Sequence, residues 1–171
     1  MLVEEIMKTP VLTCVMHDTL DKVAGMMWDG DCGAIVVVDG NRPVAMITDR
    51  DICMAAYTCG KPLSEIAVST AASRCVHALR DTDTLDRIES LMRDAQVRRV
   101  PVVNASGALV GIITLNDIIR NAGTLGRRRH ALSAEALVRT MAGVCAPQPP
   151  ETSSSAPDAI TVVAAAEHGA H

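Results

Sequence analysis

The sequence predicts an α/β fold made of two copies of one βαββα unit, followed by an extension. Two observations carry this prediction. Segments of the first half return in the second half at an offset of 65 or 66 residues, and within each half short apolar runs alternate with amphipathic stretches. The composition agrees, because 49% of the 171 residues are apolar while Phe is absent and Trp and Tyr occur once each. The core must therefore be aliphatic, as in a buried sheet covered by helices.

The repeat is visible in three segments. Asp18–Leu20 returns as Asp83–Leu85, Val37–Asp39 returns as Val102–Asn104, and Met46–Ile52 returns as Ile112–Ile118 after one inserted residue. A constant offset across segments of different local structure is not expected by chance. We therefore place one repeat at residues 3–60, a second at residues 61–122 and an extension at residues 123–171.

Each copy reads as strand, helix, strand, strand, helix. In the first copy the predicted elements are a strand at Val11–Val15, a helix opened by Asp18, strands at Ile35–Val38 and Pro43–Thr48, and a short helix from about Asp49. In the second copy they are a strand at Cys75–Leu79, a helix opened by Asp83 and capped by Thr82 or Asp83, strands at Val100–Val103 and Leu109–Thr114, and a short helix from about Leu115.

Residues 123–171 do not continue the repeat. A helix is predicted at Leu132–Met141, capped by Ser133, and the Pro- and Ser-rich residues 146–158 are predicted to be disordered. Because the repeat ends near this point, a chain truncated after Asn121 is expected to keep its fold.

Composition and motifs disfavour several classes of protein. A net charge of −4 and the scarcity of aromatic residues argue against nucleic-acid binding. No apolar run reaches membrane-spanning length, and the first residues lack the features of a signal peptide, so a cytoplasmic protein is expected. The six cysteines form no C-x-x-C pair and the histidines no helix-spaced pair, so neither a metal site nor an obligatory cofactor is expected. Motifs of hydrolases, metalloproteases and P-loop enzymes are absent, and a non-catalytic protein is expected.

The cysteines read as small core residues rather than as redox sensors. Cys14, Cys53 and Cys75 lie in or beside apolar runs, whereas Cys59 precedes a glycine and is expected to be exposed. Cys59 is therefore the best candidate among them for redox control.

The strongest candidate site is the segment Gly111–Asp117, where a strand is predicted to run into a helix. Such a junction offers free backbone N–H groups and the positive end of the helix dipole to an anion. The Thr114 hydroxyl can donate to a phosphate oxygen, Asp117 can accept from both hydroxyls of a ribose, and Gly111 leaves room for a close approach. A Thr-x-x-Asp pair can equally be a helix N-cap without a ligand.

Two further features belong to this candidate site. The first copy carries the related segment Ala45–Asp51, with Thr48 and Asp51 at the matching positions. Arg98 and Arg99 stand at the start of the neighbouring strand of the second copy. Because alternate residues of a strand face opposite sides, one of the two is expected to face a given cleft, where a guanidinium suits phosphate.

These residues resemble the CBS domain, a module named from cystathionine β-synthase that occurs in tandem pairs. The resemblance covers roughly residues 3–122 and rests on the pattern glycine, apolar, any residue, Thr or Ser, two of any kind, then Asp. The second copy matches this pattern throughout. The first copy keeps Thr48 and Asp51 but has Ala45 in place of the glycine.

The resemblance implies that the two repeats pair about a pseudo-twofold axis and leave two clefts. Each cleft would take Thr and Asp from one repeat and adenine contacts from the other. One cleft would use Thr114, Asp117 and Arg99, with Thr13 and Cys32 near the adenine.

The other implied cleft would use Thr48 and Asp51, with Val97 and residues near Val76 opposite. It has Ala34 at the position where the first cleft has an arginine. We therefore rank it second.

The resemblance implies a regulatory module that binds AMP, ADP, ATP or another adenosyl ligand such as NAD or S-adenosylmethionine, and that signals to an unidentified protein. It also implies a homodimer packed through helices, with Met26, Met27 and Trp28 in the contact. Two alternatives stay open. The chain can be a ligand-independent interaction module whose Thr and Asp pairs only cap helices and whose tail or Cys59 carries regulation, or it can serve an enzyme whose catalytic part lies on another chain.

Overall fold

The structure, a computed structural model, describes residues 2–73, 75–125, 134–146 and 161–162. The first repeat contains β1 (Thr13–Cys14), α1 (Leu20–Asp29), β2 (Ala34–Asp39), β3 (Arg42–Thr48) and α2 (Asp49–Cys59). A 3₁₀ turn at Leu63–Glu65 and the short helix α3 (Val68–Ala71) lead to the second repeat, which contains β4 (His77–Arg80), α4 (Leu85–Asp94), β5 (Arg99–Val103), β6 (Leu109–Thr114) and α5 (Leu115–Leu125). Helix α6 (Ala134–Val144) and β7 (Thr161–Val162) follow. The α/β fold of two βαββα units is thereby confirmed.

Each repeat builds its own sheet with the same topology. In the first sheet β1 is parallel to β2, and β2 is antiparallel to β3. In the second sheet β4 is parallel to β5, β5 is antiparallel to β6, and β7 joins the outer edge of β4. The registers are equivalent too, because Ile35 pairs with Ile47 as Val100 pairs with Ile113. The duplication in the sequence is therefore a duplication of backbone geometry.

The segment that precedes each repeat packs on the other repeat. Val3 is buried in the core of the second repeat, and Val68 is buried in the core of the first. Equivalent backbone hydrogen bonds fix the two segments, from Val3 N to Asp83 O at 2.9 Å and from Val68 N to Asp18 O at 2.8 Å. The chain thus crosses between the repeats twice, and residues 3–60 alone do not enclose one core.

The N-caps of α1 and α4 are Thr19 and Thr84, not the residues that were expected to cap them. Neither threonine side chain accepts a hydrogen bond from a backbone N–H of its helix. Asp18 and Asp83 instead accept a hydrogen bond from the backbone N–H three residues earlier, at 3.0 and 2.8 Å. These carboxylates close the turn between strand and helix, which is why they return in both repeats.

The first strand of each repeat differs from its predicted position. β1 pairs only at Thr13 and Cys14, and β4 lies at His77–Arg80. Leu12 and Val76 precede the paired residues and line cavities between the repeats, although Leu12 O still accepts a hydrogen bond of 3.4 Å from Val36 N of β2.

Helix α6 belongs to the core of the second repeat. It packs along α4, and Val144 at its C-terminal end is 5% exposed in a cluster that contains Met92, Leu115 and Ile118. A truncation after Asn121 would remove Val144 from this core, and the expectation that the shortened chain keeps its fold stays a prediction. Residues 147–158, which were expected to be disordered, lie outside the described residues.

The packing of α4 and α6 leaves two polar atoms buried without partners. Glu89 Oε1 on α4 and Thr140 Oγ1 on α6 are shielded from solvent, and neither has a hydrogen-bond partner in the described part of the chain. Burial raises the pKa of the Glu89 carboxyl, the charge of Asp86 raises it further, and Arg93 opposes both. The charged form of Glu89 is thus disfavoured in the folded chain.

Replacing Glu89 by glutamine should stabilise the protein at neutral pH. The variant Glu89→Gln removes the buried charge and keeps the shape of the side chain, so the free energy of unfolding should rise by about 1 kcal/mol at pH 7. Because the folded chain holds the Glu89 proton more tightly than the unfolded chain, wild-type stability falls as the pH rises through the raised pKa. Urea denaturation over a pH series should show the difference between the proteins growing from acid to neutral pH.

Glu65→Gln, at an exposed glutamate, is the matched control and should leave the free energy of unfolding unchanged across the series. A Glu89→Gln protein that is less stable than wild type at pH 7 would contradict the reading of Glu89 as an unpartnered buried carboxylate.

Candidate functional site

Thr48 and Asp51 form a capping box at the N-terminus of α2. Thr48 N donates to Asp51 Oδ2 at 2.8 Å, Thr48 Oγ1 donates to the same oxygen at 2.6 Å, and Asp51 N donates to Thr48 Oγ1 at 3.2 Å. Thr114 and Asp117 repeat this arrangement at the start of α5. The hydroxyls that were expected to donate to a phosphate donate to the carboxylates instead, and only Oδ1 of each aspartate is left for another partner.

The two Oδ1 atoms have different surroundings. Lys8 Nζ lies 3.1 Å from Asp117 Oδ1, and Asp117 is only 3% exposed. The backbone holds Lys8 in place, because it exchanges hydrogen bonds of 2.8 and 3.1 Å with Ile112 of β6. Asp51 Oδ1 has no hydrogen-bond or ion-pair partner among the described residues. Asp117 is therefore fully engaged, while Asp51 keeps one oxygen for a ligand.

This difference follows from the repeat itself. Ser73 stands 65 residues after Lys8 and pairs with Met46 of β3 as Lys8 pairs with Ile112 of β6. Ser73 Oγ accepts from Met46 N at 3.0 Å, so its short side chain is used at the strand. Lys8 is a site residue that sequence reasoning missed. The 65-residue offset could have identified it, because this offset places Lys8 at the position equivalent to Ser73.

Gly111 makes room for the chain itself and not for a ligand. A Cβ at this position would overlap Met7 Sδ, and Gly111 lines none of the cavities found among the described residues. The close approach predicted from the sequence is real, but it comes from the residue before Lys8. In the first repeat, Ala45 stands in place of Gly111 and Ala72 in place of Met7. The larger strand residue, Ala45, is therefore covered by the smaller neighbour, Ala72.

A cavity of about 520 Å³ opens between the repeats beside Asp51 and is termed here the Asp51 cleft. Its lining comprises Thr48, Arg50 and Asp51 from the first repeat, Val76, His77, Gln96, Val97, Arg98 and Arg99 from the second, and residues 144–146 from the end of α6, among others. The volume lies within the range of small-molecule sites. The cleft joins a preorganised carboxylate, several cations and apolar walls in one place.

The space beside Asp117, termed the Asp117 cleft, is divided into two cavities of about 230 and 360 Å³. Leu12 and Ala34 line only the smaller one, Arg98 and Arg120 line only the larger one, and both are lined by Lys8, Cys32, Arg99 and Thr114. Asp117 lines neither cavity, and Lys8 lies over its carboxylate. A ligand that reaches Asp117 has to move Lys8.

Two expected positions at the clefts are corrected. Thr13 does not line the Asp117 cleft, whereas Leu12, which precedes β1, does. Arg98 and Arg99 both line both clefts, although one of them was expected at each. β5 begins at Arg99, so Arg98 precedes the strand and does not follow its alternation. The Asp51 cleft, which was ranked second for want of an arginine, therefore has two from this segment.

Other reactive side chains are placed as follows. His77 lines the Asp51 cleft, and its Nδ1 is buried without a partner in the described structure. Burial, followed by the charge of Asp18, raises the pKa of the Cys14 thiol to about 11, which disfavours its thiolate. Cys59 is exposed as expected, but Cys53 is exposed too and is not the core residue predicted.

The described residues contain no group of His, Cys, Asp and Glu side chains arranged to hold a metal ion. None of their helices has both the length and the apolar character needed to cross a membrane.

Comparisons with known proteins agree with this architecture. The CBS domain family model matches residues 3–57 and 67–123. Hypoxic response protein 1 of Mycobacterium tuberculosis is 31% identical over 138 residues, which cover 80% of this chain and 89% of that protein. An uncharacterized protein of Methanopyrus kandleri is 29% identical over 119 residues, and the match spans 69% of this chain and 61% of that protein.

Solved structures show the same fold, and some of them carry adenosyl ligands. The CBS domain pair of protein MJ0100, in complex with 5′-methylthioadenosine and S-adenosyl-L-methionine, matches with a TM-score of 0.64 and 25% identity, over 72% of this chain and 97% of that one. A CBS domain protein from Pyrobaculum aerophilum, complexed with AMP, matches with a TM-score of 0.63 and 24% identity, over 82% and 98%. The crystal structure of Hypoxic Response Protein I, with two coordinated zinc ions, matches with a TM-score of 0.64 and 30% identity, over 70% and 98%.

The family model matches most of the chain, and its two matches fall on the two βαββα repeats of the structure. The chain therefore belongs to the CBS domain family.

Proposed function

We propose that this chain is a non-catalytic regulatory module that binds an adenosyl nucleotide in the Asp51 cleft. The observation that carries the proposal is the Asp51 carboxylate, which Thr48 fixes through Oδ2 and whose Oδ1 has no partner in the described structure. A carboxylate held in this way suits the two hydroxyls of a ribose, because each hydroxyl can donate one hydrogen bond to it.

The rest of the cleft suits the rest of a nucleotide. Arg50, Arg98 and the N-terminal turn of α2 offer positive charge and N–H donors to a phosphate. Val76 and Val97 offer apolar walls to a base, as small-molecule sites commonly do. The AMP and S-adenosyl-L-methionine complexes within the family support this class of ligand.

The Asp117 cleft is proposed as a second, weaker site. A ligand there has to replace the Lys8 ammonium on a nearly buried carboxylate, which costs the ion pair before any new bond is made. The cations Lys8, Arg98, Arg99 and Arg120 favour a ligand that carries phosphate. This order of the two clefts reverses the ranking predicted from the sequence, because Lys8 was absent from that reasoning.

Signalling is proposed to proceed through a homodimer and a regulated protein, in the cytoplasm. Trp28 is 87% exposed on α1, and Tyr57 and Met54 are exposed on α2. An apolar surface of this kind fits a contact between two copies. Met27, which was expected in that contact, is instead buried in the core of its own repeat.

A ligand-independent interaction module is the second candidate. The observation in its favour is that both Thr–Asp pairs form complete capping boxes. Such pairs stabilise the start of a helix whether or not anything binds.

Replacing Asp51 by asparagine should weaken AMP binding by about 10- to 100-fold, because hydrogen bonds to a charged acceptor contribute about that much to affinity. Asparagine keeps one oxygen for the two Thr48 donors, so α2 should keep its cap, but its amide cannot accept the ribose hydroxyls. Asp117→Asn is the matched variant and should change the main binding event by less than about twofold. Isothermal titration calorimetry measures both.

If Asp117→Asn abolishes AMP binding and Asp51→Asn does not, the ranking of the clefts is the one predicted from the sequence. If wild type gives no heat with AMP, ATP or S-adenosylmethionine, the ligand-independent module is the correct function.

Replacing Lys8 by methionine should open the Asp117 cleft. Methionine keeps an apolar stem of similar length but leaves Asp117 Oδ1 unpartnered, as Asp51 Oδ1 is. Calorimetry should then resolve a second AMP site that is at least about tenfold tighter than any second site of wild type.

Lys22→Met is the control for this experiment. It removes the Lys22–Asp18 ion pair of 2.6 Å, which lies outside both clefts, and should leave AMP binding unchanged. A second AMP site that weakens in Lys8→Met would mean that Lys8 assists the ligand rather than competing with it.

A further inference from the structure

Helix α6 lies beyond the part of the chain that matches the family, which ends at residue 123, yet it contributes to the Asp51 cleft. Val144, Cys145 and Ala146 line that cleft together with Val97. In the described part of the chain, no helix from outside the two repeats takes a similar place in the Asp117 cleft.

Close packing against α4 holds the C-terminal end of α6. Val144 is buried in the core of the second repeat. Gly143 lies against the Arg93 side chain, and a Cβ added at Gly143 would overlap Arg93 Cγ. The approach of the two helices therefore depends on a glycine at residue 143.

Gln96 connects the cleft to α6. It has a φ of +52°, in the left-handed region, just after α4, and it lines the cleft beside Val97. Its Nε2 donates to Gly143 O at 3.4 Å and to Ala146 O at 3.2 Å. The last carbonyls of a helix have no partner within it, so Gln96 caps the end of α6 from inside the cleft. A ligand that contacts Gln96 or Val97 acts on the cap of α6.

In the described part of the chain, no helix covers the equivalent surface of the first repeat. Trp28 and Asp31 stand at the positions of Arg93 and Gln96, and both line an open cavity of about 460 Å³ on the first repeat. Asp31 also has a positive φ, of +46°, as Gln96 does. The equivalent surface of the second repeat is the one that receives α6. The repeat therefore does not need α6 for its own fold geometry, and α6 is an addition to one side.

Some of the groups buried between α4 and α6 favour the docking of α6, and others oppose it. Val144 buries apolar surface, but Glu89 Oε1 and Thr140 Oγ1 are buried without partners on the two helices that meet. An unsatisfied buried polar atom costs free energy that a docked helix has to offset. A ligand with modest differential affinity can shift such a balance.

We propose that α6 is the element that reports occupancy of the Asp51 cleft: a nucleotide in the cleft and the docking of α6 on α4 stabilise each other. The proposal rests on the nucleotide-binding function proposed above. Coupling of this kind is reciprocal, so the ligand should tighten α6 and a change that loosens α6 should weaken the ligand by the same factor.

Hydrogen–deuterium exchange of the full chain with and without AMP tests the first half of the coupling. AMP should slow exchange of the amides of residues 134–146 by at least about fivefold in wild type, the lower end of typical coupling. The same protection should persist in Asp117→Asn and should be lost in Asp51→Asn.

Gly143→Ala tests the second half. Alanine favours helix over glycine, so a loss of AMP affinity in this variant reports the lost contact with Arg93 and not a frayed helix. Residue 143 does not line the cleft, so no ligand contact is removed. We expect AMP to bind at least about fivefold more weakly. Gly25→Ala on α1, where an added Cβ meets nothing within 4 Å, is the matched control and should bind AMP as wild type does.

The outcomes separate this proposal from the function on which it rests. Wild type that binds AMP by calorimetry, without protection of residues 134–146 and with unchanged affinity in Gly143→Ala, overturns the coupling and leaves nucleotide binding intact. Wild type that binds no adenosyl ligand overturns both. If Gly143→Ala does not fold, the exchange experiment on wild type and the two aspartate variants decides alone.

Discussion

The crossing of the chain between its two repeats is the constraint on which the other features depend. Val3 completes the core of the second repeat and Val68 completes that of the first, so neither repeat is closed without the segment that precedes the other. The same crossing lays residue 8 along β6 and residue 73 along β3. The side chains at these two positions, Lys8 and Ser73, then decide whether the aspartate of the nearby capping box is neutralised or left open. The chemistry of each cleft is therefore set partly by residues outside the Thr-x-x-Asp motif.

The two repeats share their backbone geometry, whereas the side chains around their clefts differ. Both repeats place a Thr–Asp capping box where a strand enters a helix, so both present a rigid carboxylate at an interface between repeats. The side chains around the two carboxylates differ, and these differences leave the Asp51 cleft more open to a ligand than the Asp117 cleft. The Asp51 cleft gains an unpartnered carboxylate oxygen and a wall from α6, whereas the Asp117 cleft gains the Lys8 ammonium and is divided in two. The duplication gives the two clefts a similar backbone, and a few differences in side chains make the clefts unequal.

The sequence predicts the fold well because each repeated segment forms its element from local pattern alone. The apolar face of α4 and the paired strands are examples, since the buried Leu85, Ile88 and Met92 follow one another at the three- and four-residue spacing of a single helix face. The ion pair of Lys8 with Asp117 could not be predicted in this way, since it joins residues far apart and depends on the crossing of the chain. The helix predicted at Leu132–Met141 corresponds to α6 at Ala134–Val144, but the sequence pattern carries no information on which surface that helix covers. Arg98 was misplaced because strand alternation was applied one residue before the strand begins.

Shared arginines make the two clefts dependent on each other under the proposed function. Arg98 and Arg99 line both clefts, and the Asp49 carboxylate and the Arg99 guanidinium both lie close to Gly33 at the start of β2. A guanidinium that turns toward a phosphate in one cleft is withdrawn from the other, so an anion at one site lowers the affinity for an anion at the second. Lys8 keeps the two clefts unequal, because a ligand in the Asp117 cleft has to displace the Lys8 ammonium from Asp117. Since coupling between two sites is reciprocal, the free energy by which a ligand in the Asp117 cleft changes binding in the Asp51 cleft equals the free energy of the reverse effect.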